Sequence, residues 1–522
     1  MKKMLAAFVA AVLILPSVFG ASTKTEFTVV NGAEPQSIDP AHMQTNTDQR
    51  IFDALFEGLV VYDAKTNEAK PGVAESWKVD KDGKTYTFKL RKAVFTDGTP
   101  ITAQTFVDSW LREMDPKTAG EYADTMASYV EGGSAFNGGK AGPETVKMKA
   151  VDPQTFQVTM VGPIPTMSLL AHQMFSVVPM HIIAKVGQEW TKPENFVGNG
   201  PFTLKEWVPQ SKIVVVPNPK YWDAKSVKLT KITFLPLDDN NTGYNMYKKG
   251  EVDWMTTVPL DQLDDAQLRK DYHNNPTIIV YYYTINVTES GVKELRDVRV
   301  RQALSRGLDR ATLVKRVTKA GQLPATSFSP PFSFYTPPAL VKDNDIKGAQ
   351  KLLADAGFPG GKGFPKLTLL YNTSEGHKKI AEYVQDQWKK NLGIDVELKN
   401  EEFKTAVDDR NKHNFQIARA GWQGDYADPM TFLDMWTKDS VNNDAGYNNP
   451  KYDALIALAK SLQPTDSKRV KAMKEAETLL LTDAPVIPFY FYTAANMLDS
   501  SKWSGWYETA LDLHPWKAIS AK

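Results

Sequence analysis

The stretch from Leu367 to Leu398 restricts the fold more than any other part of the chain. Leu367–Tyr371 (LTLLY) is a short apolar run suited to a buried strand, and Ile380, Val384, Trp388 and Leu392 then recur every fourth residue, as on one face of a helix. Gly393 stands where a helix C-terminus favours a residue free to take positive φ, and Ile394–Leu398 (IDVEL) alternates as a second strand. Two strands joined through a helix pair in parallel, since a crossover of this kind is what parallel pairing requires. The spacing predicts a βαβ unit in an α/β lobe. Phe415–Arg419 supplies a further strand, and helices around 455–462 and 470–481 complete that lobe.

The N-terminal half is built differently. Thr85–Leu90 (TYTFKL) and Thr155–Met160 (TFQVTM) alternate as strands, Asp97-Gly98-Thr99-Pro100 has turn chemistry, and Ala103–Met114 reads as a helix. A chain of 522 residues can form two or three domains around large cores. Ligand sites in such proteins sit in the crevice between domains, beside strand ends.

Charge and termini narrow the function classes. The 62 basic and 61 acidic residues leave a formal charge of +1, with no field to attract a polyanion, so nucleic acid is not an expected partner. Lys2 and Lys3 precede an apolar run from Met4 to Leu15, then Pro16 and small residues, which predicts a signal peptide over 1–20 cut near Gly20/Ala21. There is no cysteine, which excludes disulfides, thiol chemistry, a Cys-ligated metal and lipidation at the cut. The expected location is the periplasm.

Enzyme signatures fail one by one. His42, His172, His181, His273, His377, His413 and His514 have no HExxH spacing. No GxSxG elbow and no GxxxxGK[ST] loop occurs, and the glycines of GFPGGKGFP (357–365) do not fit GxGxxG and read instead as a helix end and turn. The doublets Asp238/Asp239, Asp264/Asp265 and Asp408/Asp409 read as solvated surface charge. The chain is expected not to be an enzyme and to need no cofactor.

Ordered segments carry a resemblance. IFDALFEGLVVYD (51–63), PQSIDP (35–40), the run 71–110, GNGPFTLKEW (198–207), PNPKYWD (217–223), DVRVRQALSRGLDR (297–310), YNTSEGHKK (371–379) and RAGWQGDYADP (419–429) occur in the chain. Together they resemble the extracytoplasmic peptide-binding proteins of ABC importers, family 5 of the solute-binding proteins, in the oligopeptide or murein-peptide branch. The resemblance implies an α/β periplasmic-binding-protein (flytrap) fold, with two lobes closing on the ligand plus an accessory domain. It places domain I at 22–56, 183–278 and 493–522, domain II at 57–182 and domain III at 279–492. It also implies capture of short peptides, delivery to an ABC permease in the inner membrane, and a monomer. The alternatives are a dipeptide, murein-peptide or nickel-chelate receptor of the same fold, and, from another class, a periplasmic peptidase or chaperone.

A general peptide receptor must grip what all peptides share, and pairing the ligand as an added strand satisfies its backbone whatever its sequence. By resemblance the strand-like partners are Gly421, Trp422 and Gln423 on one side and Gln44, Thr45 and Asn46 on the other. Asp425 matches the aspartate that pairs with the ligand's α-ammonium; on local chemistry alone it also reads as a turn or capping residue. Trp422 matches a channel wall, although by itself it reads as a core tryptophan. Arg419, Arg410, His377, Tyr122, Tyr282 and Phe403 match further positions around the ligand. Gln44 and Thr284 stand where some relatives carry acids, which removes negative charge from the cleft. The segment 329–347 looks shortened, and no carboxylate-binding lysine can be assigned in it.

Overall fold

The computed structural model describes residues 25–81 and 83–522, so the signal-peptide expectation lies outside the described residues. One eleven-stranded mixed sheet runs through the molecule. Its order is Phe202–Val208, Lys212–Pro217, Lys231–Pro236, Glu26–Gly32, Trp254–Met255, Val486–Leu498, Tyr272–Ile285, Ile417–Gln423, Leu367–Asn372 and Val396–Glu401, with Leu323–Pro324 paired to Val486–Leu498. The expected βαβ unit is present. Leu367–Asn372 and Val396–Glu401 pair in parallel on either side of the helix Glu375–Leu392, whose buried face includes Ile380, Val384, Trp388 and Leu392. Gly393 closes that helix at φ +71°, in the left-handed region where a side chain would be strained.

Two long antiparallel strands, Tyr272–Ile285 and Val486–Leu498, cross the middle of the molecule, and their ladder is broken. Tyr272–Pro276 pairs with Thr493–Met497 and Val280–Thr284 pairs with Val486–Phe491, with the register shifting between Pro276 and Val280. Pro276 has no N–H to give the ladder, which favours a break beside it. Ile278 turns instead to other partners, its N–H donating to Ala510 O and its carbonyl accepting from Gly424 N.

Separate apolar cores lie on the two sides of this break. Phe27, Trp190, Phe234, Trp254, Trp503 and Trp516 belong to one, and Tyr283, Leu304, Leu369, Val384, Trp388 and Phe489 to the other. The segment 57–182 contains a four-stranded antiparallel sheet of Ala74–Val79, Thr85–Leu90, Thr155–Thr159 and Met148–Asp152. Its core, around Trp110 and Phe156, is continuous with Tyr282, Tyr426 and Trp436.

Candidate ligand-binding site

Between the two sides of the sheet lies a cavity of about 430 Å³, inside the range of about 300–1,000 Å³ usual for ligand pockets. Every residue the sequence put forward lines it: Gln44, Thr45, Asn46, Tyr122, Tyr282, His377, Phe403, Arg410, Arg419, Gly421, Trp422, Gln423 and Asp425. Thr284 does not. It is fully buried in the strand Tyr272–Ile285, opposite Ala418 and Val486, so an acid there would be covered by packing and would not face the cleft. Asp238, read above as surface charge, is exposed and forms part of the cavity rim, while its neighbour Asp239 caps the helix Asn240–Lys249.

The strand Ile417–Gln423 presents an open edge to this cavity. On one side it pairs along its whole length with Ile279–Ile285. On the other it meets Leu369 and Leu370 only at Ile417 and Ala418, so from Arg419 onward that edge has no strand partner among the described residues. Trp422 is fixed beside it, its indole N–H donating to Thr431 O at 2.6 Å. On the facing wall Asp48 Oδ2 accepts the backbone N–H groups of Gln44 (3.0 Å) and Thr45 (2.9 Å). Burial raises the Asp48 carboxyl to about 6 against these hydrogen bonds. With those N–H groups occupied, Gln44 contributes its side chain, which donates to Asn442 Oδ1 across the cleft at 3.2 Å.

Asp425 stands just past the end of the open strand, its side chain 14% exposed. It sits in the bend after the strand, but its carboxylate accepts side-chain groups and no backbone N–H among the described residues, so it is not a capping carboxylate. Oδ2 accepts from the Thr431 hydroxyl at 2.9 Å, and Oδ1 lies 3.2 Å from His172 Nε2 and 3.5 Å from the Tyr122 hydroxyl. The Tyr62 hydroxyl donates to the Asp425 carbonyl at 3.0 Å. Tyr62, Tyr122 and His172 all come from the segment 57–182, and His172 and Tyr62 are site residues that sequence reasoning missed. His172 sits in the apolar run LLAHQMF, where a lone histidine reads as a packed core residue.

Arg419 is the cation without a carboxylate. Its guanidinium donates to Asn372 Oδ1 (3.2 Å) and the Tyr492 hydroxyl (2.9 Å), lies over the Tyr281 ring at 5.0 Å, and leaves Nε without a partner. Beside it, burial and the Arg419 charge push His377 well below the ordinary histidine range, so the ring is neutral at pH 7. Arg410, by contrast, is paired with Asp444 at 3.4 Å, and burial raises that carboxyl. Tyr282 reaches the cavity wall but is 1% exposed, packed against Phe328 and Trp436. The segment 329–347 contributes nothing to the wall. Its start is anchored elsewhere, where Glu477 accepts from the backbone N–H of Phe328 and Ser329 and from the Tyr335 hydroxyl.

Comparison with known proteins gives a consistent answer. Residues 68–444 match the family described as bacterial extracellular solute-binding proteins, family 5 Middle. The chain is 40% identical over 498 residues to the periplasmic oligopeptide-binding protein OppA of Salmonella typhimurium, covering 91% of this chain and 88% of that one. It superposes on Haemophilus influenzae OppA in complex with RPPGFSPFR with a TM-score of 0.90 at 33% identity, over 95% of this chain and 99% of the other. Against the Escherichia coli murein tripeptide binding protein MppA the TM-score is 0.91 at 37% identity, covering 96% and 99%. Against the unliganded open form of MppA it falls to 0.65 at 36% identity, covering 95% and 97%, so the lobes here stand in a closed arrangement. These likenesses carry the flytrap fold along with the family. The chain belongs to the bacterial extracellular solute-binding proteins, family 5.

Proposed function

We propose that this protein captures short peptides in the periplasm, largely without regard to sequence, and delivers them to an ABC permease of the inner membrane. The observation that carries this reading is the open edge of Arg419–Gln423, with Asp425 just past its end and the carboxylate-free Arg419 at its start. An extended peptide laid along that edge would pair its backbone as an added strand, set its α-ammonium on Asp425, and leave its α-carboxylate to Arg419. Aromatic walls and neutral polar groups elsewhere leave side-chain recognition loose. No chemistry is done on the ligand.

The lobes are read as domain I (22–56, 183–278 and 493–522) and domain III (279–492), with 57–182 as domain II. The ladder break between Pro276 and Val280 supports placing the hinge there. Closure around the ligand follows from differential binding: a peptide touching both lobes stabilises only the closed state. The mature chain would begin near Ala21 and act as a monomer.

Native mass spectrometry of the protein as purified tests the proposal. The expected result is a set of carried-over peptides of mixed sequence, and an unrelated peptide pool incubated with the protein stays intact. A single metal complex, a bile acid in place of peptides, or cleavage products would overturn it. A murein peptide as the sole ligand would favour the narrower branch instead.

A further inference from the structure

We infer that His172 is a positioning residue for the ligand's amino end, and that it makes capture weaken as pH falls below neutrality. This inference rests on the peptide-capture reading. His172 is buried, 5% exposed, and lines the ligand cavity. Its two ring nitrogens have distinct partners. Nδ1 accepts the backbone N–H of Met174 at 3.4 Å, so Nδ1 carries no proton in this arrangement. Nε2 therefore carries the N–H and donates it to Asp425 Oδ1 at 3.2 Å. In this tautomer the ring holds the carboxylate without cancelling its charge.

That distinction matters for a cationic ligand. With Thr431 on Oδ2, and Tyr122 and His172 on Oδ1, the Asp425 carboxylate has a lone pair left on Oδ2 for an ammonium. A second proton on His172 would break the Met174 hydrogen bond. It would also place a cation on the carboxylate whose negative charge the ammonium needs. Proton binding at His172 and ammonium binding at Asp425 are thus antagonistic.

Asp48 on the facing wall, its carboxyl at about 6, and Glu121, raised by burial, act alike in the wild-type protein and in a His172 variant, so the difference between the two isolates the ring. The Tyr122 ring packs edge-on at 4.5 Å, and burial raises its hydroxyl well above the usual range, so it stays neutral. Tyr62, on the Asp425 carbonyl, is raised in the same way. Glu121 precedes Tyr122 in the chain, and Asp434 is paired with Lys460 at 3.1 Å. No arginine or lysine pairs with either His172 or Asp425 among the described residues.

The test is calorimetric titration of trialanine into the wild-type protein and His172→Gln at pH 7.5 and 5.5. A glutamine can still donate to Asp425 and accept from Met174 but cannot take up a proton. The expected wild-type result is a severalfold loss of affinity over that interval, bounded by about tenfold per pH unit for the uptake of one proton. His172→Gln is expected to change by less than about twofold, and upward, because more of the ligand's amine is protonated at the lower pH. Equal pH slopes in the two proteins, or a flat wild-type profile, would overturn the inference while leaving peptide capture intact. No binding of trialanine by the wild-type protein at either pH would overturn the capture reading itself, and this inference with it. Should the variant not fold, imidazole ¹⁵N shifts of the wild-type protein decide the matter. Peptide binding must lower the His172 titration midpoint, and an unchanged midpoint refutes the antagonism.

Discussion

Replacing Asp425 by asparagine tests the electrostatic half of the capture mechanism. At a contact of about 3 Å and an effective dielectric of about 20, a carboxylate and an ammonium attract by about 5.5 kcal/mol. Both ions lose hydration when the lobes close, and Asp425 is only 14% exposed even without a ligand. The net loss on truncation is therefore expected at about 2–4 kcal/mol, or about 30- to 800-fold in affinity. Part of any measured loss has nothing to do with the ligand. An asparagine carbonyl replaces one carboxylate oxygen only, so its NH₂ group must face either the Thr431 hydroxyl or the His172 N–H, both of which donate here.

A double-mutant cycle removes that local cost. Trialanine and N-acetyl-trialanine are titrated calorimetrically into both proteins at pH 7.5, and the coupling between Asp425 and the free amine is read from the four affinities. The expected coupling is at least about 2 kcal/mol, with the acetylated peptide bound weakly by both proteins. Equal affinity of wild type for the two peptides, or a coupling below about 0.5 kcal/mol, the error of such additivity, would refute the assignment of Asp425.

Further predictions concern the rest of the cleft and its supports. Arg419→Gln should abolish the preference for free-carboxylate over C-terminally amidated peptides, a difference of about tenfold for a charge-assisted hydrogen bond; an unchanged ratio in calorimetry places the carboxylate elsewhere. Gly424→Ala puts a Cβ 2.8 Å from Ile278 Cδ1 and 3.0 Å from Phe432 Cε2 beside Asp425, so thermal denaturation should show a loss of about 1–3 kcal/mol. Burial holds the Glu477 carboxyl at about 7, above its unfolded value, so the folded state binds the extra proton and stability falls as pH rises through that range. Glu477→Gln mimics the protonated form, and its melting temperature should vary less than that of wild type between pH 5 and 8; parallel curves would remove Glu477 from the account.

The parts of the fold that could be read from sequence are those fixed by local periodicity. The parallel pair around Glu375–Leu392 followed from a four-residue stripe and one glycine, and Ala103–Met114 forms the helix its pattern predicts. The ladder break at Pro276 was less accessible, because a continuous strand and a bulged one share the same run of β-branched and aromatic residues. Thr284 shows the limit of carrying a charge argument from relatives. Its neighbours in the strand, Tyr283 and Ile285, are as buried as it is, so nothing in the local pattern said that its side chain is covered and not part of the cleft.

The site itself divides in the same way. Asp425, Trp422 and Arg419 lie on one strand and the loop after it, so a single motif carried all of them. The groups that hold Asp425 do not, since Tyr62, Tyr122 and His172 are separated from it by 250 residues or more and reach it only through the packing of 57–182 against Tyr426, Met430 and Trp436. No spacing rule connects such positions. The arrangement also gives the accessory segment a physical part in recognition: its core is continuous with that of the lobe carrying the open strand edge, so it can fix the carboxylate before a ligand arrives. Under the proposed domain division, Gln44, Thr45 and Asn46 would then come from the opposite lobe. Recognition of the amino end would thus be preorganised within one rigid unit, while contact with the remainder of the peptide depends on closure.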